Sequence, residues 1–491
     1  MTRFGVCARL AITRWQSLRG CRRTRLVLEL CTCQWLWLLR SIGVMALGLM
    51  FPSLGEAQVN TSTNTTGSVT SNQVEDELSA DLTLERALWV AWRNNEVSGS
   101  AKQRVMAADA RVDRAFSFFM PRVTLAGSYT RRAYQTERVV GDQHVVIQNH
   151  NALAASGTAR LALFDARGFP LLDQSKHERD AARFDAINIK RVFANTVARA
   201  FILSLGLEHV YHAAERRVMY AKENLEQAKQ RAELGLVSSN DVTRAELEHT
   251  SAETALSQTI IDMQQSRLEL GNLLTKPVKG NLIEPTTLLA QASGAHGNPG
   301  PMIKRALKLR PDLHAAQSAT EALKASADEP ALRALPSLGA VGQVRATNEA
   351  GISGRNIDGY VGAELVWELW DGGSRSAEEE ERDAVAVIGD LDVRVMARQL
   401  SVEIHKTLVM LKQGQQAEKQ AQLAVTSAKR NSKEIGELYR QGLATALLVA
   451  DANVQLFEAE VAHTQAKYGV AVALIDLRTA LGLDPLGRKL K

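Results

Sequence analysis

The 491-residue sequence has few cysteines, prolines and aromatic residues, and they are unevenly placed. All four cysteines precede residue 58, so the rest of the chain can form neither a disulfide nor a thiolate metal site. Eleven prolines occur, none of them within 171–276 or 337–484, and aromatic residues make up 5%. This composition disfavours a compact all-β protein and favours long helices.

The net positive charge of the chain comes from its N-terminus. Residues 1–57 contain eight arginines, no lysine and two glutamates, whereas residues 58–491 carry a net charge of −1. The pI of about 9.0 is therefore no sign of nucleic-acid binding, and we expect no nucleic-acid partner.

The first 57 residues have the order of a secretory signal peptide. Arginines precede an apolar run from Trp35 to Phe51, and the small residues Gly55 and Ala57 suit a cleavage site after residue 57. A membrane anchor is the alternative, although the uninterrupted apolar run is shorter than the ~20 residues that span a bilayer. Residues 58–80 are rich in Ser, Thr and Asn, which predicts a disordered linker.

The remaining chain contains two copies of one pattern. Paired motifs recur in the same order: Arg86-Ala87-Leu88 with Arg305-Ala306-Leu307, Phe164-Asp165 with Trp370-Asp371, and Leu234-Gly235-Leu236-Val237-Ser238 with Gln441-Gly442-Leu443-Ala444-Thr445. We therefore predict a first repeat at 81–275, a proline- and glycine-containing inter-repeat (equatorial) segment at 276–301, a second repeat at 302–484 and a C-terminal tail at 485–491.

Each repeat reads as a helix, two strands, a very long helix, a short break and another long helix. The expected strands are about 122–137 and 151–165 in the first repeat, and about 337–348 and 358–370 in the second. The expected long helices are about 168–234 and 240–275, and about 374–440 and 446–482.

The long helices carry a coiled-coil pattern. Residues that are apolar except for Ser204 recur in alternating steps of four and three, as in a coiled-coil seam. In the first repeat these are Phe193, Val197, Ala200, Ser204, Leu207, Tyr211, Ala214, Val218, Ala221, Leu225, Ala228 and Ala232, and in the second they are Leu443, Leu447, Ala450, Val454, Phe457 and Val461.

The strands alternate with a period of two and are about ten residues long, as tilted membrane-spanning strands are. The clearest case has the apolar residues Val361, Ala363, Leu365, Trp367 and Leu369 on one face, which we predict to face lipid. A sheet packed on the helices fits the same alternation. Because a barrel needs about eight strands, membrane-spanning strands here require several chains to share one barrel.

The sequence resembles the TolC family of outer-membrane efflux channels over nearly all of 82–484. The resemblance is carried by the duplication, by the turns at 164–168 and 370–373, and by the break motifs at 235–242 and 439–451. It implies a mainly α homotrimer, in which a 12-stranded β-barrel in the outer membrane continues as a periplasmic barrel of α-helices.

The resemblance also implies partners. The two break motifs correspond to hairpin tips that dock a periplasmic adaptor (membrane fusion) protein, which links the channel to an inner-membrane transporter of the RND or ABC type. The corresponding residues are Gly235, Leu236, Val237, Ser238, Gly442, Leu443, Ala444 and Thr445. The glycines permit the left-handed backbone that ends a helix, and Ser238 and Thr445 suit N-caps. A plain helix hairpin that buries the same apolar residues is the alternative.

The family's periplasmic aperture corresponds to Asp241, Tyr439, Arg440 and Asp451. The sequence departs from the family at Ala444 and Leu448, which replace an arginine and an aspartate. Asp241 therefore lacks its expected partner unless Arg440 or Arg244 substitutes. We expect three copies of Asp451 around a narrow axis to repel one another, and so to select cations or hold the end open.

The sequence predicts no catalytic residue, no cofactor and no metal site. Phosphate-binding, zinc-protease and nucleophile-elbow motifs are absent from it, so we expect no enzyme. The predicted function is a passive outer-membrane channel of a tripartite efflux or type I secretion system, and the alternative is a coiled-coil scaffold without a pore.

Overall fold

The computed structural model describes residues 81–140, 143–295, 297–349 and 355–489. The predicted signal peptide at 1–57 and the predicted linker at 58–80 lie outside the described residues.

Helices account for most of the described chain. The helices are α1 (Leu84–Asn94), α2 (Glu96–Phe116), α3 (Gly168–Glu233), α4 (Ser239–Leu274), α5 (Thr286–Ala292), α6 (Pro299–Leu309), α7 (Pro311–Ala327), α8 (Glu329–Leu332), α9 (Ser374–Arg440) and α10 (Ala446–Ala480). The strands are β1 (Arg122–Arg131), β2 (Thr136–Val140), β3 (Gln143–Gln148), β4 (Asn151–Phe164), β5 (Ser337–Thr347) and β6 (Ile357–Val366).

The four longest helices form two hairpins, α3–α4 and α9–α10. Helices α3 and α9 have 66 and 67 residues, which at ~1.5 Å per residue makes each of them ~100 Å long. The segment predicted only as an inter-repeat connection contains α5 and the start of α6, because Pro299 suits the first turn of a helix.

Strand β1 ends earlier than the predicted limit of 137. The chain leaves the sheet after Arg131 and forms the separate antiparallel pair β2–β3 before it returns as β4. The backbone N–H of Arg132 donates to the carbonyl of His150 at 2.8 Å, which closes the base of this excursion. The prediction placed one strand where the structure has two, β1 and β2.

The main sheet has the strand order β1-β4-β5-β6, with every neighbouring pair antiparallel. Its register separates apolar from polar rows. One row across the four strands consists of Val123, Ala159, Gly342 and Val361, and the adjacent row on the opposite face consists of Thr124, Thr158, Gln343 and Tyr360. In the second row the amide of Gln343 donates to the hydroxyl of Thr158 at 3.3 Å.

The apolar face of this sheet is not covered by the helices. Leu125 and Val361 are 84% and 90% exposed. The alternative that the helices pack on this face of the sheet therefore does not hold, because helices packed there would bury these side chains. Within the described residues, β1 and β6 are the edge strands, each paired along one side.

Trp367 and Leu369 do not belong to the lipid-facing strand to which the sequence assigned them. Strand β6 ends at Val366, which pairs with Ser337, the first residue of β5. Pro336 precedes Ser337 and has no N–H for the ladder, so the pairing stops there. Beyond this point the indole N–H of Trp367 donates to the carbonyl of Ala334 at 3.0 Å.

The coiled-coil seam of the first hairpin agrees with the sequence pattern. Its members are all buried or partly buried, and its one polar residue, Ser204, bonds the hydroxyl of Ser266 on α4 at 3.1 Å. In the second hairpin the prediction was wrong near the tip: Ala446, Val449 and Ala452 are buried, whereas Leu447 is exposed. Near the tip, α10 has two apolar stripes. The hairpin buries the stripe with the smaller side chains, Ala446, Val449 and Ala452, and leaves the stripe with Leu447 exposed.

A buried ion network joins the two repeats at the C-terminal end of α10. Arg310 donates to both carboxylate oxygens of Asp312, at 2.9 and 2.6 Å, and to the carbonyl of Ala480 at 3.1 Å. Arg191 donates to the carbonyl of Thr479 and lies 3.7 Å from Asp312. Burial and the neighbouring charge of Arg310 lower the pKa of Arg191 to about 10. Two cations thus neutralise the negative end of the helix dipole.

Candidate functional site at the two hairpin tips

The tip of the first hairpin is a glycine-terminated helix end. Gly235 has φ of +68°, and its N–H donates to the carbonyl of Ala232 at 2.9 Å. The N–H of Leu236 donates to the carbonyl of Arg231, also at 2.9 Å. This pair of bonds is the Schellman motif, which needs a left-handed residue and therefore favours glycine.

The tip of the second hairpin repeats this geometry. Gly442 has φ of +81° and donates to the carbonyl of Tyr439 at 3.0 Å, while Leu443 donates to the carbonyl of Leu438 at 2.9 Å. The duplicated sequence motif thus produces a duplicated backbone motif at two places in the chain.

Each tip presents a large apolar side chain to the surface. Leu236 is 70% exposed and Leu443 is 72% exposed, while Val237 and Ala444 are partly buried. The alternative, a plain helix hairpin that buries the apolar tip residues, is wrong for Leu236 and Leu443. The hydrogen-bonded turns at Gly235 and Gly442 fix the positions of the two leucines.

The helices that follow the tips begin differently. The N–H and the hydroxyl of Ser238 both donate to one carboxylate oxygen of Asp241, at 3.2 and 3.1 Å, at the start of α4. Thr445 precedes α10 but makes no side-chain cap hydrogen bond.

The expected replacement partners of Asp241 do not reach it. Arg440 pairs instead with Glu437, at 3.4 Å on its own helix, and within the described residues Arg244 forms no hydrogen bond or ion pair with Asp241. Asp241 instead accepts hydrogen bonds from Ser238 at the start of its own helix. A carboxylate in this first turn stabilises the helix by capping it and by facing the positive end of its dipole.

Arg231 contacts the second tip, although the sequence interpretation did not single it out. It lies in the last turn of α3, yet its Nη1 and Nη2 donate to the carbonyls of Tyr439 and Arg440, at 2.5 and 2.7 Å. Its guanidinium also lies 4.6 Å from the centroid of the Tyr439 ring. A basic residue in the last turn of a helix is common, so the pattern alone gives no sign that this one reaches another hairpin.

The side chain of Tyr439 is buried at the second tip. It packs with Ala446 and Val449 in a small apolar cluster. Burial raises the pKa of the Tyr439 phenol, and the nearby guanidinium of Arg231 counteracts part of that rise. Its ring is therefore a fixed surface against which Arg231 rests.

A cleft of about 560 Å³ lies between the two tips. Its lining includes Arg231, Asp241, Tyr439 and Arg440 together with both tip glycines. Asp451 and Leu448 lie outside this lining, exposed on α10. The structure thus groups three of the four predicted aperture residues and places Asp451 further along its helix.

Two further properties of the described residues bear on function. Among their helices, none combines the length and the apolar character of a membrane-crossing helix. The same part of the chain contains no group of three His, Cys, Asp or Glu residues placed to hold a metal ion.

Comparison with known families gives a match over both halves of the chain. The family described as outer membrane efflux protein matches residues 92–276 and 302–483. No curated protein matches the sequence.

Three solved structures with the same fold are outer-membrane proteins of bacteria. The outer membrane protein VceC of Vibrio cholerae is 17% identical with a TM-score of 0.66, over 81% of this chain and 96% of VceC. The CmeC outer membrane channel of Campylobacter jejuni is 15% identical with a TM-score of 0.68, over 90% and 94%. The MtrE outer membrane channel of Neisseria gonorrhoeae, solved in an open state, is 16% identical with a TM-score of 0.61, over 90% and 100%.

Proposed function

Because the chain belongs to the outer membrane efflux protein family, we propose that three copies form one passive channel that crosses the outer membrane and extends into the periplasm. The channel exports substrates that an inner-membrane transporter delivers. Substrate moves by diffusion through a water-filled conduit, and the energy comes from the transporter.

The uncovered four-stranded sheet is the observation that carries this proposal. Its apolar face lacks a covering layer, and its edge strands β1 and β6 leave backbone groups unpaired within the described residues. Such edges are incompatible with hydrocarbon, where each unpaired group costs several kcal/mol. Pairing of β6 with β1 of the next copy removes every edge, and three copies give twelve strands.

The long helices support the periplasmic part of the proposal. Phe457 and Val461 on α10 remain partly exposed and line an apolar groove with residues of α3 and α4. In a trimer, a neighbouring copy would cover this stripe and complete a barrel of helices. Helices α3 and α9, each ~100 Å long, give such a barrel the reach to cross much of the periplasm.

The tips are the proposed docking surface for a periplasmic adaptor with an α-helical hairpin. Leu236 and Leu443 are exposed on rigid turns, as anchors for a partner helix are. An apolar groove or ridge on the adaptor hairpin would cover both. The adaptor would hold the channel against a transporter of the RND or ABC type.

The docking role is tested by changing Gly235 and Gly442 together to valine. Both have positive φ, so a β-branched residue distorts the turns and displaces the leucines. We expect loss of adaptor binding in a pull-down, with the trimer intact. Gly436→Val is the matched control, because Gly436 lies inside α9 with open space at its Cβ. Retained binding in the double variant would remove the tips from the proposal.

The channel itself is tested by fractionation and by electrophysiology. We expect the protein in the outer-membrane fraction as a heat-modifiable trimer that conducts ions in a planar bilayer. Recovery as a water-soluble periplasmic protein would favour the pore-less scaffold and would refute the channel.

A further inference from the structure

We propose that Arg122 and Arg160 form an anion-selecting ring in the lumen of the β-barrel, so that anionic substrates are the class that the channel favours. The inference rests on the proposed channel function and adds the chemical class of its cargo. Because each copy contributes both arginines, a trimer would place all of these guanidinium groups at one level of the barrel.

The two arginines lie directly opposite each other on adjacent strands. Arg122 of β1 pairs with Arg160 of β4 in the antiparallel register, which places their Cβ atoms ~5 Å apart on one face of the sheet. Both residues are exposed, and within the described residues neither side chain forms an ion pair or a hydrogen bond. Like charges at opposite positions destabilise a sheet, so the strand pairing itself does not explain this pair.

The register places both arginines on the polar face of the sheet. Each of them is two residues from the polar row of Thr124 and Thr158, whereas the intervening row of Val123 and Ala159 belongs to the apolar face. The apolar face is the one proposed to meet lipid, so the polar face meets the water of the lumen. The ligand of the arginines is therefore an anion dissolved in the channel rather than the headgroup of a lipid.

The acidic residues on the same face are too distant to neutralise the pair. They are Asp358 and Glu364 of β6, and Asp358 already lies opposite another arginine, Arg345. Two strands, or ~10 Å, separate Arg160 from β6, and Glu364 lies two residues, or ~7 Å, further along that strand. In the trimer, β6 of the next copy would also lie two strands from Arg160, beyond β1. Arg160 would thus stay free of acidic neighbours on both sides.

The dimensions of the barrel let such a ring act on its whole cross-section. Twelve strands ~4.8 Å apart and tilted by ~45° give a circumference of ~80 Å and a radius of ~13 Å. The arginine side chains project inward from this wall, so their charges lie roughly 10 Å from the axis, about one Debye length at 0.1 M salt. The screened attraction of two charges from each of three copies concentrates a monovalent anion at the axis about fivefold.

The first test is the ion selectivity of the purified full-length trimer in planar bilayers near 0.1 M KCl. Arg122→Gln combined with Arg160→Gln should lower the ratio of chloride to potassium permeability about fivefold, because the charge of the ring is lost. The double lysine variant keeps the charge and should keep the ratio. Arg131→Gln is the matched control, since Arg131 lies on the same strand but on the face of Val123, and it should also keep the ratio. At 1 M KCl, where the Debye length is ~3 Å, the variants should converge.

A second measurement uses inorganic pyrophosphate as a polyanionic probe. Pyrophosphate should block the wild-type conductance in bilayers of uncharged lipid and block the double glutamine variant much more weakly. If the double variant does not assemble, Arg160→Gln alone decides, and block as strong as in the wild type would overturn the ring.

The outcomes separate the ring from the channel. A conducting trimer with the same permeability ratio and the same block in the wild type and the double glutamine variant would overturn the ring alone. A dependence of trimer yield on anionic lipid that is lost in this variant, without any change in selectivity, would assign the arginines to lipid headgroups and would also overturn the ring. Failure of the wild type to form a conducting trimer would overturn the channel, and the ring with it.

Discussion

A lysine placed on the apolar face of β6 should prevent assembly, whereas the same lysine one residue earlier should not. Val361 is the fifth residue of this ten-residue strand and belongs to the apolar row with Val123 and Ala159. Tyr360 precedes it in the polar row with Thr124 and Thr158. Both side chains are exposed in the single chain, so exposure alone does not distinguish the two variants.

The magnitude follows from the position in the strand. Ten residues at ~3.3 Å give ~33 Å, which at a tilt of ~45° spans ~23 Å of the membrane normal, close to the ~25 Å apolar band of a membrane barrel. In the proposed barrel Val361 would therefore lie near the midplane, where a lysine costs about 2–4 kcal/mol. Three copies bring the cost to about 6–12 kcal/mol per trimer.

The assay is the yield of heat-modifiable trimer in the outer membrane and its resistance to urea in liposomes. Val361→Lys should yield little trimer, and Tyr360→Lys should resemble the wild type. In a sheet surrounded by water, both changes would lie within about 0.5 kcal/mol. Equal yields for the two variants would therefore refute the assignment of this face to lipid.

Three further predictions concern the inter-repeat junction and the inner end. Burial raises the pKa of Asp312, but the hydrogen bonds from Arg310 more than offset this, so the pKa of Asp312 is lowered in the folded protein. The stabilisation by Asp312 should therefore be present above pH ~3.9 and be lost as the pH falls through the folded pKa. In thermal melts, Asp312→Asn should lower stability by about 3–5 kcal/mol at pH 7 and make the melting temperature less dependent on pH. Thr275 ends α4 with φ of +59°, so Thr275→Gly should raise stability by about 1 kcal/mol, whereas no gain in the melting temperature would contradict strain at this position. Asp451→Ala should change single-channel conductance and weaken block by cations, and unchanged values of both would count against a ring of Asp451 at the axis.

The parts of the fold that follow from repeating patterns could be read from the sequence. The seam of α3 and the glycine turns at 235 and 442 depend on local rules of spacing and backbone conformation, and the structure has them. The end of β6 depends on its partner strand β5, which Pro336 precedes and where the ladder stops. The alternation within β6 alone therefore predicted a strand that is too long. Which of the two apolar stripes of α10 is buried depends on how its side chains pack against α9, and the spacing within α10 alone does not show this.

The cross-hairpin contact of Arg231 lay beyond sequence reasoning for a different reason. The residue is 208 positions from Tyr439, and its partners are backbone carbonyls, which leave no mark in the side-chain pattern. Motifs for capping predicted the position of Ser238 correctly, but the carboxylate of Asp241 turned to that cap instead of to an arginine. Contacts between elements distant in sequence need the three-dimensional arrangement.

Disulfide formation between β1 and β6 tests the shared barrel most directly. Two strands separate β1 from β6 in the sheet of one chain, which puts them about 14 Å apart at ~4.8 Å per strand, and a disulfide needs Cα atoms within ~7 Å. Because residues 58–491 contain no cysteine, a cysteine at Leu125 can be combined in turn with one at Gly359, Val361 or Ala363, with each single cysteine as a control. We predict that at least one pair yields a covalent trimer under oxidation in the outer membrane. Monomers from every pair, in protein that is folded and membrane-bound, would contradict the account.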